Sequence, residues 1–211
     1  MGDLVLFQDE VNPVMSALFE KGIDVTALHN HFFYDDPKGY FMHIYGEGEI
    51  EKLTLGVRAA LDKVKEIRQA KPSPAASFGA GPLPNQNTIS SKPLEGIFHQ
   101  PGESKDGMFK VSFGRSAKMA CGCNAAKEMG INTWAAFAGT DENSVVDGDF
   151  SVLENELQPV LKALRKDGIN IVAIHQHMTD EKPRILFLHY WGRGKARDLA
   201  QAVQNARTLT K

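Results

Sequence analysis

Residues 2–65 align without a gap onto residues 148–211 at a constant offset of 146, so most of whatever this chain folds into must be built twice. Of the 64 aligned positions, 21 are identical. They include the backbone-shaping residues Gly2/Gly148, Pro13/Pro159, Gly22/Gly168, Pro37/Pro183, Gly46/Gly192 and Gly48/Gly194, and the acids Asp3/Asp149 and Glu10/Glu156. They also include His29/His175, His31/His177 and His43/His189, six of the chain's seven histidines. Copies that have drifted this far keep what both still need. Here that is a backbone frame and a histidine triad.

Each copy reads as strand, helix, strand, strand, helix. After a strand over 3–8, Val11, Val14, Met15 and Leu18 recur at helical spacing and Gly22 stops the helix; Leu157, Val160, Leu161, Leu164 and Gly168 repeat the pattern. Residues 23–32 and 169–178 read as β-strands, with return strands at Tyr40–Tyr45 and Ile185–Trp191. A last helix carries Ile50, Leu53, Val57, Ala60, Leu61 and Val64 on one stripe, matched by Ala196, Leu199, Val203 and Ala206. The expectation is an α+β fold of two related βαββα repeats with antiparallel sheets, loosely ferredoxin-like and in a pseudo-two-fold arrangement. Residues 1–68 form the first repeat, 69–93 a Pro- and Ser-rich flexible linker and 94–211 a fuller second repeat, with a short helix from Ser91 to Phe98 and strands at 109–114, 132–138 and 144–152. The first copy has no counterpart of the segment preceding the second. The chain is therefore read as truncated at its N-terminus, with an uncovered sheet edge that favours self-association alongside association of the two repeats.

Residues two apart on a strand share a face about 6.6 Å apart. His29 and His31 therefore project together, and an even, bulge-free hairpin register brings His43 onto the same face; His175, His177 and His189 repeat the set. Three converging imidazoles make a facial metal site for Zn²⁺ or Fe²⁺ with coordination positions left open. The same three residues also suit a structural hydrogen-bond network. The His face would carry Val25, Ala27, Phe41 and Tyr45, or Ile171, Ala173, Phe187 and Trp191, placing the triads in an aromatic-lined pocket for a small ligand or at the contact between the two copies. Glu10 and Glu156 can add a carboxylate, although favourable charge at a helix N-terminus is the better explanation of both. Gly46-Glu47-Gly48-Glu49 is acidic where Gly192-Arg193-Gly194-Lys195 is basic, so Arg193 and Lys195, with Arg197, are candidates to hold an anion in the second copy alone.

A net charge of −2 argues against a general nucleic-acid binder, and no apolar run approaches a membrane span. Cys121 and Cys123 are too close to suggest a disulfide framework and give only a weak metal signal, so they read as structural or incidental. The N-terminus, MGDLVLFQDE, is not a signal peptide.

The segments Asn132–Phe137, Val146–Phe150, Gly168–Met178 and Pro183–Gly192 resemble the LppY/LpqO family of bacterial proteins of undefined function, some of them lipoproteins. The resemblance covers residues 94–211 strongly and 2–68 clearly. It implies an exported, periplasmic or lipoprotein-like parent with a complete first repeat, and it implies no reaction. The region around Cys121-Gly122-Cys123 departs from the family pattern. The function read from the sequence is thus an exported protein whose duplicated histidine sites bind a divalent metal or small ligand, as a metal-dependent hydrolase or oxygenase or as a non-catalytic binder.

Overall fold

The computed structural model describes residues 1–211 as a mixed α and β chain whose strands pair antiparallel, divided into units Met1–Ala80 and Gly81–Lys211. In the first unit β1 (Gly2–Phe7), α1 (Gln8–Glu20), β2 (Asp24–His29), β3 (Gly39–Tyr45) and α2 (Ile50–Ala70) follow in turn. β3 lies between β1 and β2, the insertion that a split, ferredoxin-like βαββα segment requires. Glu10, the third residue of α1, accepts the Phe7 N–H at 2.7 Å and so supplies the cap that Phe7 cannot. Val11, Val14, Met15 and Leu18 are buried over Val25, Leu28, Met42 and Ile44 of the sheet. At the helix end Gly22 takes a φ of 75° and Ile23 N–H donates to Leu18 O at 3.0 Å, a closure that favours glycine.

The second unit runs α3 (Ser91–Phe98), β4 (Glu103–Lys105), β5 (Met108–Gly114), β6 (Ala117–Lys118), β7 (Asn124–Ala125), β8 (Asn132–Gly139), β9 (Ser144–Leu153), α4 (Glu154–Lys166), β10 (Asn170–His175), β11 (Ile185–Gly194) and α5 (Ala196–Arg207). Its larger sheet has the order β10-β11-β9-β8-β5-β4. β8 occupies the place beside β9 where the fourth strand of a ferredoxin-like sheet would stand. One face of this sheet buries Val146, Phe150, Val152, Leu188 and Tyr190 together with Leu157, Val160, Leu161 and Leu164 of α4 and Val203 of α5. The opposite face carries Trp134, Asp149, Ser151, Phe187 and His189. The β6–β7 hairpin covers one end of that face, where Ala117, Ala125 and Ile131 join Ile185 and Phe187 in a buried cluster flanked by Met119, Leu153 and Met178.

Four details differ from the sequence expectations. A bulge interrupts β2 between Val25 and Ala27, and β10 between Ile171 and Ala173. The inserted residue reverses the alternation, so Val25 and Ile171 are buried with the helix-facing residues and do not share the histidine face. The strands also end at His29 and His175, because the last pairs of their ladders are His29 with Phe41 and His175 with Phe187; His31 and His177 lie beyond them. The linker is shorter than 69–93. α2 continues to Ala70, and Asn87–Ile89 belongs to the second unit, where the Asn87 side chain accepts Gly139 N–H at 2.8 Å and buried Ile89 donates its N–H to Gly107 O at 2.9 Å. Cys121 and Cys123, finally, are joined in a disulfide. No helix is long and apolar enough to cross a membrane.

Candidate metal centre

Cross-strand register builds the centre of the second unit. Asp149 on β9 stands opposite His189 on β11, and His189 opposite Ala173 on β10; in the adjacent row Ser151 faces Phe187 and Phe187 faces His175. Directly opposed residues share a sheet face, so Asp149, His189 and His175 project together. The bulge lies N-terminal to Ala173 and leaves this part of the ladder regular. His177 is held by stacking: its ring lies 3.6 Å from that of Phe187 at an interplanar angle of 10°, and 5.0 Å from that of His175. The rings of His175 and His189 are 4.7 Å apart, and His189 Nδ1 lies 4.0 Å from Asp149 Oδ2. One ligating atom from each of Asp149, His175 and His177 falls within 4.8 Å of the other two.

The electrostatics suit a cation. Asp149 is 4% exposed, and its Oδ1 is buried without a hydrogen-bond partner, as are His175 Nε2 and Ser151 Oγ. Burial pushes the Asp149 carboxyl up to about 6, against the opposing influence of His189 and of the Leu188 backbone. Burial likewise lowers His175 and His177, with His189 adding to the effect, so both imidazoles are neutral near pH 7 and have a lone pair to offer. Two imidazoles and one carboxylate on a single side of an ion are the donor set of facial sites with open positions. Ligand bonds of about 2.1 Å place donors roughly 3–4 Å apart, within side-chain rotation of the spacing found here.

The first unit repeats the register. Asp3 faces His43, His43 faces Ala27 and His29 faces Phe41. The ring of His29 lies 5.0 Å from both His31 and His43, His31 packs on Phe41 at 3.8 Å, and His43 Nδ1 is 4.0 Å from Asp3 Oδ2. Two features differ. The Asp3 side chain is 49% exposed against 6% for Asp149, and His29 Nε2 contacts His43 Nε2 at 2.8 Å, so two imidazoles already satisfy each other through one shared hydrogen.

Phe41 and Phe187 are the stacking floors for His31 and His177. Trp191 follows His189 two residues on and is half-buried, whereas the exposed Tyr45 bonds through its hydroxyl to Glu47. Arg193 donates to Gly81 O and Asn143 Oδ1 at 3.0 Å each, and Lys195 pairs with Glu142 at 2.8 Å; both basic side chains are thus engaged away from the histidines. Glu10 and Glu156 do not join the triads: each caps a helix, Glu10 pairing with Arg68 and Glu156 with Arg115. A cavity of about 410 Å³ in the first unit is lined by Ile23, Ile44, Leu53, Val57 and Tyr45 among others, and one of about 460 Å³ in the second by His99, Arg197 and Gln201 among others. Neither cavity is lined by a triad histidine. The triad histidines project from one face of their sheets.

A family described as Domain of Unknown Function (DUF1259) matches residues 1–63 and 92–209. No curated protein and no solved structure matches the chain.

Proposed function

The chain belongs to this DUF1259 family, and we propose that its activity centres on a divalent transition metal, zinc or iron(II), held by Asp149, His175 and His177 with His189 beside them. The observation that carries this reading is the convergence of three donor atoms within 4.8 Å on one sheet face, two of the residues presenting buried polar atoms with no protein partner. Three protein donors leave positions for water or substrate, so the centre suits a metal-dependent hydrolase or oxygenase better than a closed structural site. The triad His29, His31 and His43 with Asp3 is a second, weaker site, because metal there must displace the His29–His43 contact. That contact also favours a second reading for the first unit alone, a structural hydrogen-bond network. The LppY/LpqO kinship and an exported setting belong to the same proposal, supported by the likeness of the segments Asn132–Phe137, Val146–Phe150, Gly168–Met178 and Pro183–Gly192.

Elemental analysis of the chain purified without a metal-affinity tag tests the reading. At least one divalent ion per chain is expected, lost in His175→Ala and His177→Ala while the metal-free variants melt with the metal-free parent. No metal under any loading condition, together with a loss of several kcal/mol in both variants, would make the histidines core residues.

A further inference from the structure

The chain's two cysteines form a disulfide in the loop that joins β6 to β7. Three observations separate it from a structural cross-link. It joins residues two apart in sequence, and so small a ring constrains the unfolded chain far less than a bond between distant segments. The hairpin is already held by its backbone: Ala117 pairs with Ala125 and Lys118 with Asn124, Met119 N–H donates to Cys123 O at 2.8 Å and Gly122 N–H to Met119 O at 2.8 Å. Cys121, Gly122 and Cys123 are all exposed, and exposed disulfides are the exchangeable ones.

We propose that Cys121 and Cys123 form a thiol–disulfide exchange site that oxidises thiol substrates. A substrate thiolate attacks one sulfur; the Cys121–Cys123 bond breaks, a mixed disulfide forms and the other cysteine departs as a thiolate. A second substrate thiolate attacks the substrate sulfur of the mixed disulfide, releasing the substrate disulfide and the remaining cysteine thiolate. The two protons given up by the substrate thiols end on the two cysteines. Two thiols lose two electrons to become one disulfide, and the cysteine pair gains them as a dithiol; oxidised glutathione reverses the change and resets the loop. The exchange needs no metal. The loop nevertheless adjoins the metal centre, since Met119 packs against the cluster that holds Phe187, on which His177 stacks.

The test uses the full chain and glutathione as the probe. Samples equilibrated in mixtures of reduced and oxidised glutathione are quenched by alkylation and weighed by mass spectrometry, for the parent, Cys123→Ser and the doubly substituted Cys121→Ser/Cys123→Ser chain. The pair is expected to interconvert within the range set by glutathione itself, Cys123→Ser to trap one glutathione per chain, and the double variant to melt within about 3 °C of the parent. A pair that only a strong phosphine reduces, a pair found as free thiols after aerobic purification, or a larger fall in melting temperature of the double variant would overturn the proposal.

Discussion

Glu156 ties three stretches of the second unit together. Its carboxylate accepts Arg115 at 2.5 and 3.1 Å, the Leu153 N–H at 2.9 Å and the Lys211 N–H at 3.0 Å. Burial pushes this carboxyl up, but the bonds from Arg115, Leu153 and Lys211 outweigh it and hold Glu156 below the usual glutamate range. A depressed carboxylate contributes stability above its unfolded-state value, and that contribution is lost as pH falls through the folded-state value. Glu156→Gln should therefore cost about 3 kcal/mol at neutral pH, since it leaves the half-buried Arg115 guanidinium with no carboxylate partner and only the Lys211 carbonyl at 2.6 Å, and less below pH about 4. Urea unfolding at both pH values measures the difference; an equal cost at both would place the effect outside the ion pair. Asp149 is the opposite case, a buried carboxylate without full compensation. Asp149→Asn should lower metal affinity at least tenfold, as read by competition with a chelator, and leave the metal-free chain as stable as before or more so. Its place in the centre was legible only in part. The identity of Asp3 and Asp149 in both copies was visible in the sequence, but their position opposite His43 and His189 depends on a β1–β3 and β9–β11 pairing that no short-range pattern announces.

At the scale of the element, the bulge decides which residues meet. Ile171-Val172-Ala173-Ile174 is apolar at every position, so its sequence alternation is blind to a one-residue slip, and the regular strand it suggested put Ile171 beside the histidines. The structure buries Ile171 completely and leaves Val172 44% exposed. Ile171→Thr should therefore cost about 2–3 kcal/mol and Val172→Thr less than about 0.5 kcal/mol, by thermal or urea unfolding. The reverse order would restore the regular strand. Because the bulge precedes Ala27 and Ala173, His29 and His43, and likewise His175 and His189, stay on one face. The close approach of β9 to β11 is equally demanding. A Cβ on Gly148 would lie 2.3 Å from Tyr190 Cζ and 2.4 Å from Trp134 O, whereas one on Gly2 would meet only the Ile44 side chain at 3.2 Å. Gly148→Ala should unfold or markedly destabilise the second unit, and Gly2→Ala should be tolerated; circular dichroism of the two variants separates them.

For the molecule as a whole, the segments β1–α2 and β9–α5 are unequally buried although their helices and strands follow the same order. The linker boundary could not be read from proline and serine content, because Asn87 and Ile89 are bound through one side-chain amide, one backbone bond and one buried side chain that composition does not register. Nor could the helix stripes reveal the imbalance. The 21-residue α2 buries only Gly56 and Ala60, leaving Leu55, Leu61 and Ile50 exposed, while the 12-residue α5 buries Ala196, Leu199, Ala200, Ala202, Val203, Gln204 and Ala206. Helices draw most of their stability from packing of an apolar face, so α2 should open at a lower free energy than α5. Native-state hydrogen exchange followed by mass spectrometry should show the middle of α2 exchanging faster than the middle of α5. Metal supplied at about 100 times its dissociation constant stabilises the state that binds it by roughly 2.7 kcal/mol. Zinc or iron(II) added anaerobically should therefore slow exchange first in β10 and β11, which carry His175 and His189, and reach β2 and β3 only at higher concentration. Equal slowing of both hairpins at the lowest concentration would show that the buried Asp149 and exposed Asp3 confer the same affinity. Slowing of neither would remove the metal from both units.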